Sequence, residues 1–337
     1  MKRASSYLGV LSAMLGLSLF MWLLARTGFN TIVDQIRLLG LGFFFLLLFS
    51  GARYTLRTIT WRLCVKTKRN LSLLRLLRIM LVGEALNDAS PAGPFVGDSV
   101  RVWVASQHMS AEDSATSVTV ERLIYSFSVV LFLLGGVVLL LLKIAVPGKA
   151  RLVTLGLIPG LLLALLVPYL IIRRRCLVAG KVLDLWKGSG IGLGLLRRYE
   201  HRIRAFETSI HDFFLGQRTL FLTVLSINLV THLVGIGEAY FILKATGTQI
   251  SMLTAFLVES ANRAAQMICT FVPFGLGVEE GTAGAAMHAL GYGVTAGVSL
   301  GIIRKIRTVF WIAVGLLLGT QYALPKPAKQ EIWEGSV

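Results

Sequence analysis

Charge is what this sequence has least of. Of 337 residues only 15% are charged, against 55% hydrophobic, and the mean hydropathy is +0.73. Soluble domains run near 25% charged and about 45–50% apolar, so the composition excludes an ordinary water-soluble fold. Acids are scarcer than bases, 17 against 34. Cysteine is nearly absent. Cys64, Cys176 and Cys269 lie far apart and form no CxxC pair, which argues against a disulfide framework or a thiolate zinc site. His108, His201, His211, His232 and His288 are scattered and include no HExxH, so no metal site is expected. The sequence shows no nucleophile–base constellation and no phosphate-cradling loop, so neither a catalytic residue nor a cofactor is expected. No polar stretch is long enough to fold as a separate soluble domain.

What is present is a series of apolar runs. Residues 7–25 hold nineteen residues without a charge. The run is long for a signal peptide and lacks a small-residue cleavage site, so it reads as a first transmembrane helix. A second runs from Leu38 to Trp61, with Arg53, Arg57 and Arg62 at its far end, where long side chains can snorkel to the interface. Ile124–Leu142, Leu152–Ile172, Leu220–Leu243 and Val294–Tyr322 complete the set. Each is near the roughly 20 residues that cross about 30 Å of hydrocarbon.

The bases come in blocks beside these runs. Residues 53–78 hold eight Lys/Arg and no acid, and residues 173–218 hold ten against four acids. In that position they fix topology and meet anionic lipid headgroups; nucleic acid is not an expected partner. The two blocks should be cytoplasmic, and with them both termini, in agreement with Lys2, Arg3, Lys326 and Lys329. The region 173–218 reads as an amphipathic, interfacial helical segment with a turn at Gly188–Gly194.

Two stretches are not simple spans, residues 71–107 and 251–290. Each begins as a helix with an acid three residues before an asparagine, Glu84 with Asn87 and Glu259 with Asn262, a spacing that shares one helix face. Each then breaks, at Pro91 and Gly93 in the first and at Pro273 and Gly275 in the second. Each then meets an acid seven residues beyond its proline, Asp98 and Glu280. Gly97, Gly277 and Gly281 lie in the same breaks. The backbone groups freed at such breaks cannot point into lipid and must line a cavity or be buried in protein. Three spans separate the two stretches, an odd number, so they read as a weak inverted repeat of re-entrant hairpins, a transporter pattern. The expected fold is therefore an all-α integral membrane protein of the cell membrane, with about six full spans and two re-entrant helical hairpins. Residues 1–325 form a single polytopic domain in this reading, followed by a short cytoplasmic tail, 326–337.

These stretches resemble the membrane region of the lysylphosphatidylglycerol synthase family, a flippase-like group. One signature stands here as SPAGPFVGDSVRVW, with Gly97, Asp98 and Arg101. The other stands as PFGLGVEEG, with Glu280 at the family's acid and Glu279 at its variable position. Phe274 departs from the usual first glycine of that loop. The basic cluster Arg304-Lys305-Ile306-Arg307 and Glu259 are similar to the hopanoid-associated branch. The resemblance spans about residues 5–322 and implies lipid handling. In two-part members the membrane region is thought to move a lipid that a soluble domain has aminoacylated. No such domain is seen up to Lys329, so aminoacylation by this chain is not expected. A stand-alone translocator, or a membrane partner of another lipid-modifying enzyme, is.

A translocator needs groups that compensate a headgroup in a low dielectric. Glu279 and Glu280 are placed to receive a cationic or hydroxyl-rich headgroup, with Glu280 facing a polar cavity and Glu279 its aqueous mouth. Arg304, Lys305 and Arg307 could neutralise them or hold a lipid phosphate. Asp98 and Arg101 could do the same from the other hairpin, with Glu84, Asn87 and Asp88 below them. The blander alternative is that these charges only lock the hairpins. It applies best to Glu121-Arg122 as a pair, and to Glu280 as an acid before a helix starting near Thr282. Glu238, inside a span, is expected to face the cavity.

Overall fold

The computed structural model describes residues 37, 39–66, 71–90, 93–144, 148–175, 193–270 and 272–323. Among them the protein is all-helical, with ten α-helices and no strand. In chain order these are α1 (Gly42–Cys64), α2 (Leu73–Ala89), α3 (Pro94–Ala105), α4 (Ala111–Lys143), α5 (Gly148–Arg173), α6 (Leu193–Gly216), α7 (Arg218–Ala245), α8 (Met252–Ile268), α9 (Val278–Ala289) and α10 (Val294–Ala323). The run at 7–25, Pro91, the whole 176–192 segment and the tail from 324 lie outside the described residues.

Serines start three of these helices. Ser72, Ser110 and Ser251 each accept a hydrogen bond from the backbone N–H three residues on, at 3.2, 3.0 and 3.1 Å, satisfying a donor the helix itself leaves orphaned. Glu112 and Asp113 in the first turn of α4 add a favourable dipole interaction. Three helical segments are long and apolar enough to cross a membrane: Ala111–Lys143, Arg151–Arg173 and Arg218–Ala245. In the apolar window of Arg151–Arg173 no residue is fully buried by protein; Leu152, Val153, Leu163 and Val167 are exposed, while Leu161 and Leu165 are half-buried. Helices α1 and α10, with 23 and 30 residues, are long enough for the spans expected at 38–61 and 294–322. They fall outside that apolar set, and each carries a cluster of basic residues.

The apolar core has two halves. Trp61, Leu76, Ile79, Met80, Val104 and Val118 pack α1–α4 around the first odd stretch. Leu46, Ile236, Ala239, Val258, Met287 and Leu300 pack α1 and α7–α10 around the second. A smaller cluster, Ala85, Ala89, Phe274 and Ile312, joins the two. Helix α10 lies against both α9 and α2. Glycine permits these close approaches, as in membrane helix packing generally. A Cβ on Gly301 would lie 2.6 Å from the Cα of Glu280, and one on Gly315 would lie 2.5 Å from the carbonyl oxygen of Leu81.

Both odd stretches are helix–break–helix units. The first breaks at Gly93, φ +49°, between α2 and α3. The second breaks through a short 3-10 turn, Pro273–Gly275, and Gly277 at φ +77°. The two breaks touch: a Cβ on Gly93 would come within 2.9 Å of the Thr270 carbonyl oxygen.

Phe274 occupies left-handed backbone, φ 58°, at a cost of about 1–2 kcal/mol for an L-residue. Its ring is buried against Ala85 and Ala89, which offsets that cost. Phe274→Ala loses the packing and keeps the strain, whereas Phe274→Gly loses the packing alone. Thermal melts should therefore rank the glycine variant above the alanine variant by about 1 kcal/mol, with both below the parent. Alanine above glycine would mean that the left-handed turn is not formed.

Candidate functional site

A cavity of about 360 Å³ lies where the two breaks meet. Its walls come from α1, α2, α4, α8, α10, the break before α9 and the first turn of α9. They carry six arginines, at 53, 57, 122, 263, 304 and 307, and three carboxylates, Glu84, Asp88 and Glu279. Tyr54, Tyr125, Asn87 and Gln266 add polar groups, and Val129, Met267 and Val272 add apolar surface.

Two ion-pair networks hold the arginines. On one side Arg57 reaches Glu84 at 2.8 Å and Glu121 at 3.6 Å. Arg101, 0% exposed, bridges Glu121 at 3.0 Å and Asp98 at 3.1 Å and stacks over the Trp61 ring at 4.5 Å. Arg122 grips Asp98 with two hydrogen bonds, at 2.7 and 2.8 Å. This network ties α1 to α2, α3 and α4. On the other side Glu238, 0% exposed, gathers Arg304 at 3.2 Å, Arg53 at 3.4 Å and Arg307 in a direct hydrogen bond. Glu259 takes Arg304 at 2.7 Å and Arg263 at 3.0 Å. This network ties α1 to α7, α8 and α10. Arg53 and Arg57, one turn apart on α1, belong one to each network.

Lys305 answers the backbone problem of the second break. Its buried ammonium donates to the Phe274 carbonyl and, at 3.0 Å, to the Gly275 carbonyl. These are acceptors that the helix break releases and lipid could not satisfy. Glu280 lies 3.7 Å from the same ammonium.

The lining and its partners balance in charge. Arg101 and Lys305 join the six lining arginines, making eight bases. Asp98, Glu121, Glu238, Glu259 and Glu280 join the three lining carboxylates, making eight acids.

Of the residues singled out from sequence, Glu84, Asn87, Glu279, Arg304, Arg307 and Gly275 line the cavity. Asp98, Arg101 and Glu259 lie behind it as ion-pair partners. Asn262 is buried on α8 outside the lining, and neither of its amide atoms has a hydrogen-bond partner. Gly97 lets α3 approach α2, since a Cβ there would lie 2.5 Å from the Gly83 carbonyl oxygen; Gly281 faces open space.

The expected order of the two glutamates is exchanged. Glu279, 8% exposed, lines the cavity and accepts from Gln266 at 2.5 Å. Glu280 turns toward Lys305 and Gly301. Helix α9 begins at Val278, not near Thr282, so both acids already lie in its first turn. Two other expectations change. Arg53 and Arg57 are not at an interface but inside the networks. Glu121 and Arg122 do not pair with each other; adjacent helical residues face different ways, and each finds a partner elsewhere. Arg263, Gln266 and Tyr125 were not anticipated. Their trace in the sequence is the Glu259–Arg263 spacing, four residues on one helix face. Among the described residues no group of three His, Cys, Asp or Glu could hold a metal ion.

The profile of the lysylphosphatidylglycerol synthase TM region matches residues 9–316. The chain belongs to that family. No curated protein and no solved structure matches it. As a member of the lysylphosphatidylglycerol synthase TM-region family it is a membrane protein of lipid modification or transport. In this family member the cavity is lined by the signature stretch 273–281 and by Glu84, Asn87 and Asp88 just before the other signature, whose Asp98 and Arg101 stand behind it as ion-pair partners, together with basic residues of α1 and α10.

Proposed function

We propose that the protein is a multi-pass lipid translocator of the cell membrane, passing a polar headgroup through the cavity between its two helix breaks. The observation that supports this best is the meeting of both breaks at one charged cavity inside an otherwise apolar helical chain. Buried charge on this scale is costly in a membrane and is kept where a polar species passes. Apolar residues at the margin suit the rest of an amphiphile: Ile268 is 78% exposed and Phe95 72%, at the ends of α8 and α3 that meet at the breaks. In this reading the two units are re-entrant hairpins of opposite orientation and both termini are cytoplasmic. The basic blocks rest on anionic headgroups, and a lipid-modifying enzyme acts as partner. The chain itself works as a carrier, without catalysis.

The test is leaflet exchange in vesicles containing the purified protein and acyl-labelled reporter lipids. Protein-dependent exchange is expected, slowed by about tenfold or more in Glu279→Gln, the worth of one charge-assisted contact. Absence of exchange for every reporter would move the assignment to a membrane subunit that presents lipid to an enzyme.

A further inference from the structure

An open groove of about 720 Å³ lies apart from the charged cavity, at the opposite end of α2. Its walls are Arg75, in the first turn of α2, and Ser106, Gln107, His108 and Met109, which connect α3 to α4. The connection has a fixed backbone. The N–H groups of residues 106–109 all donate to the carbonyls of Val102, Val104 and Ala105, and the Ser114 hydroxyl donates to Val102 at 2.9 Å. Met109 packs on the cluster that holds Trp61 and Val65.

The charge around the groove is mostly positive. Arg75 and Arg78 are exposed and lie three residues apart on one face of α2. Arg62 and Lys66 are exposed at the end of α1, beside Trp61 and Val65. Glu112 and Asp113 begin α4 just beyond the groove, where Glu112 accepts from Ser209 of α6 at 3.2 Å.

The chain itself returns to this place. Tyr322, at the end of α10, packs on the same cluster as Met109, and Arg78 and Arg75 are the charged neighbours of its phenol. Residues 324–337 continue from there, and positions 330–334 read QEIWE. Glu331 and Glu334 match the two arginines of α2 in number and opposite sign. Ile332 and Trp333 match the apolar side chains of Met109 and Tyr322. Eight residues carry the chain from Ala323 to Glu331, a reach of up to about 29 Å, and the path starts at the rim of the groove. So short a tether gives an effective concentration of about millimolar, at which a few charge-assisted contacts suffice.

We propose that residues 330–334 of this chain dock in the groove. Glu331 and Glu334 meet Arg75 and Arg78, and Ile332 and Trp333 cover Met109. The docked tail clasps the end of α10 to the foot of the first helix–break–helix unit. The contact does not depend on lipid movement.

The experiment is a disulfide cross-link in the full chain between Gln107→Cys and Gln330→Cys. It is formed in phosphatidylcholine vesicles and read by peptide mass spectrometry. Cross-linking should slow about tenfold or more with Arg75→Glu, and by as much with Glu331→Arg. The two reversals together should restore it. Arg75 is exposed, and Glu331 lies beyond the last described helix, so both variants should fold; their melting temperatures check this. A rate that ignores both reversals overturns the docking and leaves only the proximity of the tether. A cross-link that joins two chains, seen as a dimer on a denaturing gel, overturns it in favour of a second copy. A cross-link abolished when phosphatidylglycerol replaces part of the phosphatidylcholine overturns it in favour of an anionic headgroup.

Discussion

Glu238→Ala is expected to destabilise the folded chain by about 3–5 kcal/mol, the cost of removing one partner from a buried ion pair. The reason is the sharing. Arg53, Arg304 and Arg307 converge on this one carboxylate, which no water reaches, since its side chain is 0% exposed. Arg304 keeps Glu259 at 2.7 Å after the substitution. Arg53 and Arg307 keep no acid within ion-pair distance among the described residues, and three like charges remain close together. Glu238→Gln preserves the shape and one acceptor and should fall between parent and alanine variant. Adding Arg307→Met to Glu238→Ala removes one stranded cation and should restore part of the loss, with a coupling of about 0.5–3 kcal/mol. Thermal melts of the four proteins in one detergent supply the cycle. A loss within about 0.5 kcal/mol for Glu238→Ala, the range of ordinary surface changes, would mean that water enters the network and that the two core halves are held by packing alone.

The helix–break–helix units were legible because proline, glycine and charge interrupt an apolar sequence so sharply. Pro273-Phe274-Gly275 and Gly277 announce a turn that no continuous helix could accommodate. The helix starts at Ser72, Ser110 and Ser251 rest on local capping chemistry, a signal the sequence holds although the expected spans take no account of it. The partners of the charges were not legible. The spacing of Arg304 and Arg307 puts both on one helix face, but nothing local says that the face meets Glu238, 69 residues away. Arg53 and Arg57 were read as interfacial because they follow an apolar run; their burial depends on α2, α4 and α7 arriving beside α1. The exchange of Glu279 and Glu280 shows how much an element boundary matters. Successive helical residues point about 100° apart, so an early helix start decides which of two neighbouring acids faces the cavity. Span counting met a similar limit: α1 and α10 carry several basic residues each and fall outside the apolar set.

Arg57 separates scaffold from pathway, and two substitutions there should diverge. Its guanidinium bridges Glu84 and Glu121 and covers the Tyr125 ring at 4.6 Å, while two of its nitrogens have no hydrogen-bond partner. Arg57→Met strands Glu84, which has no other base within ion-pair distance among the described residues. It should cost about 3–5 kcal/mol and abolish exchange with the fold. Arg57→Lys keeps the charge beside Glu84 but not the planar fork. It should cost only about 1 kcal/mol, near the worth of one net hydrogen bond. Exchange should nevertheless slow about tenfold, because an ammonium held by Glu84 no longer spans to Glu121 and loses the fixed planar edge that shapes the cavity wall. The informative quantity is the ratio of the two effects in Arg57→Lys, measured as leaflet exchange in vesicles against melting temperature in detergent. A lysine variant that exchanges lipid at the parent rate would assign the arginine to holding α1, α2 and α4 together.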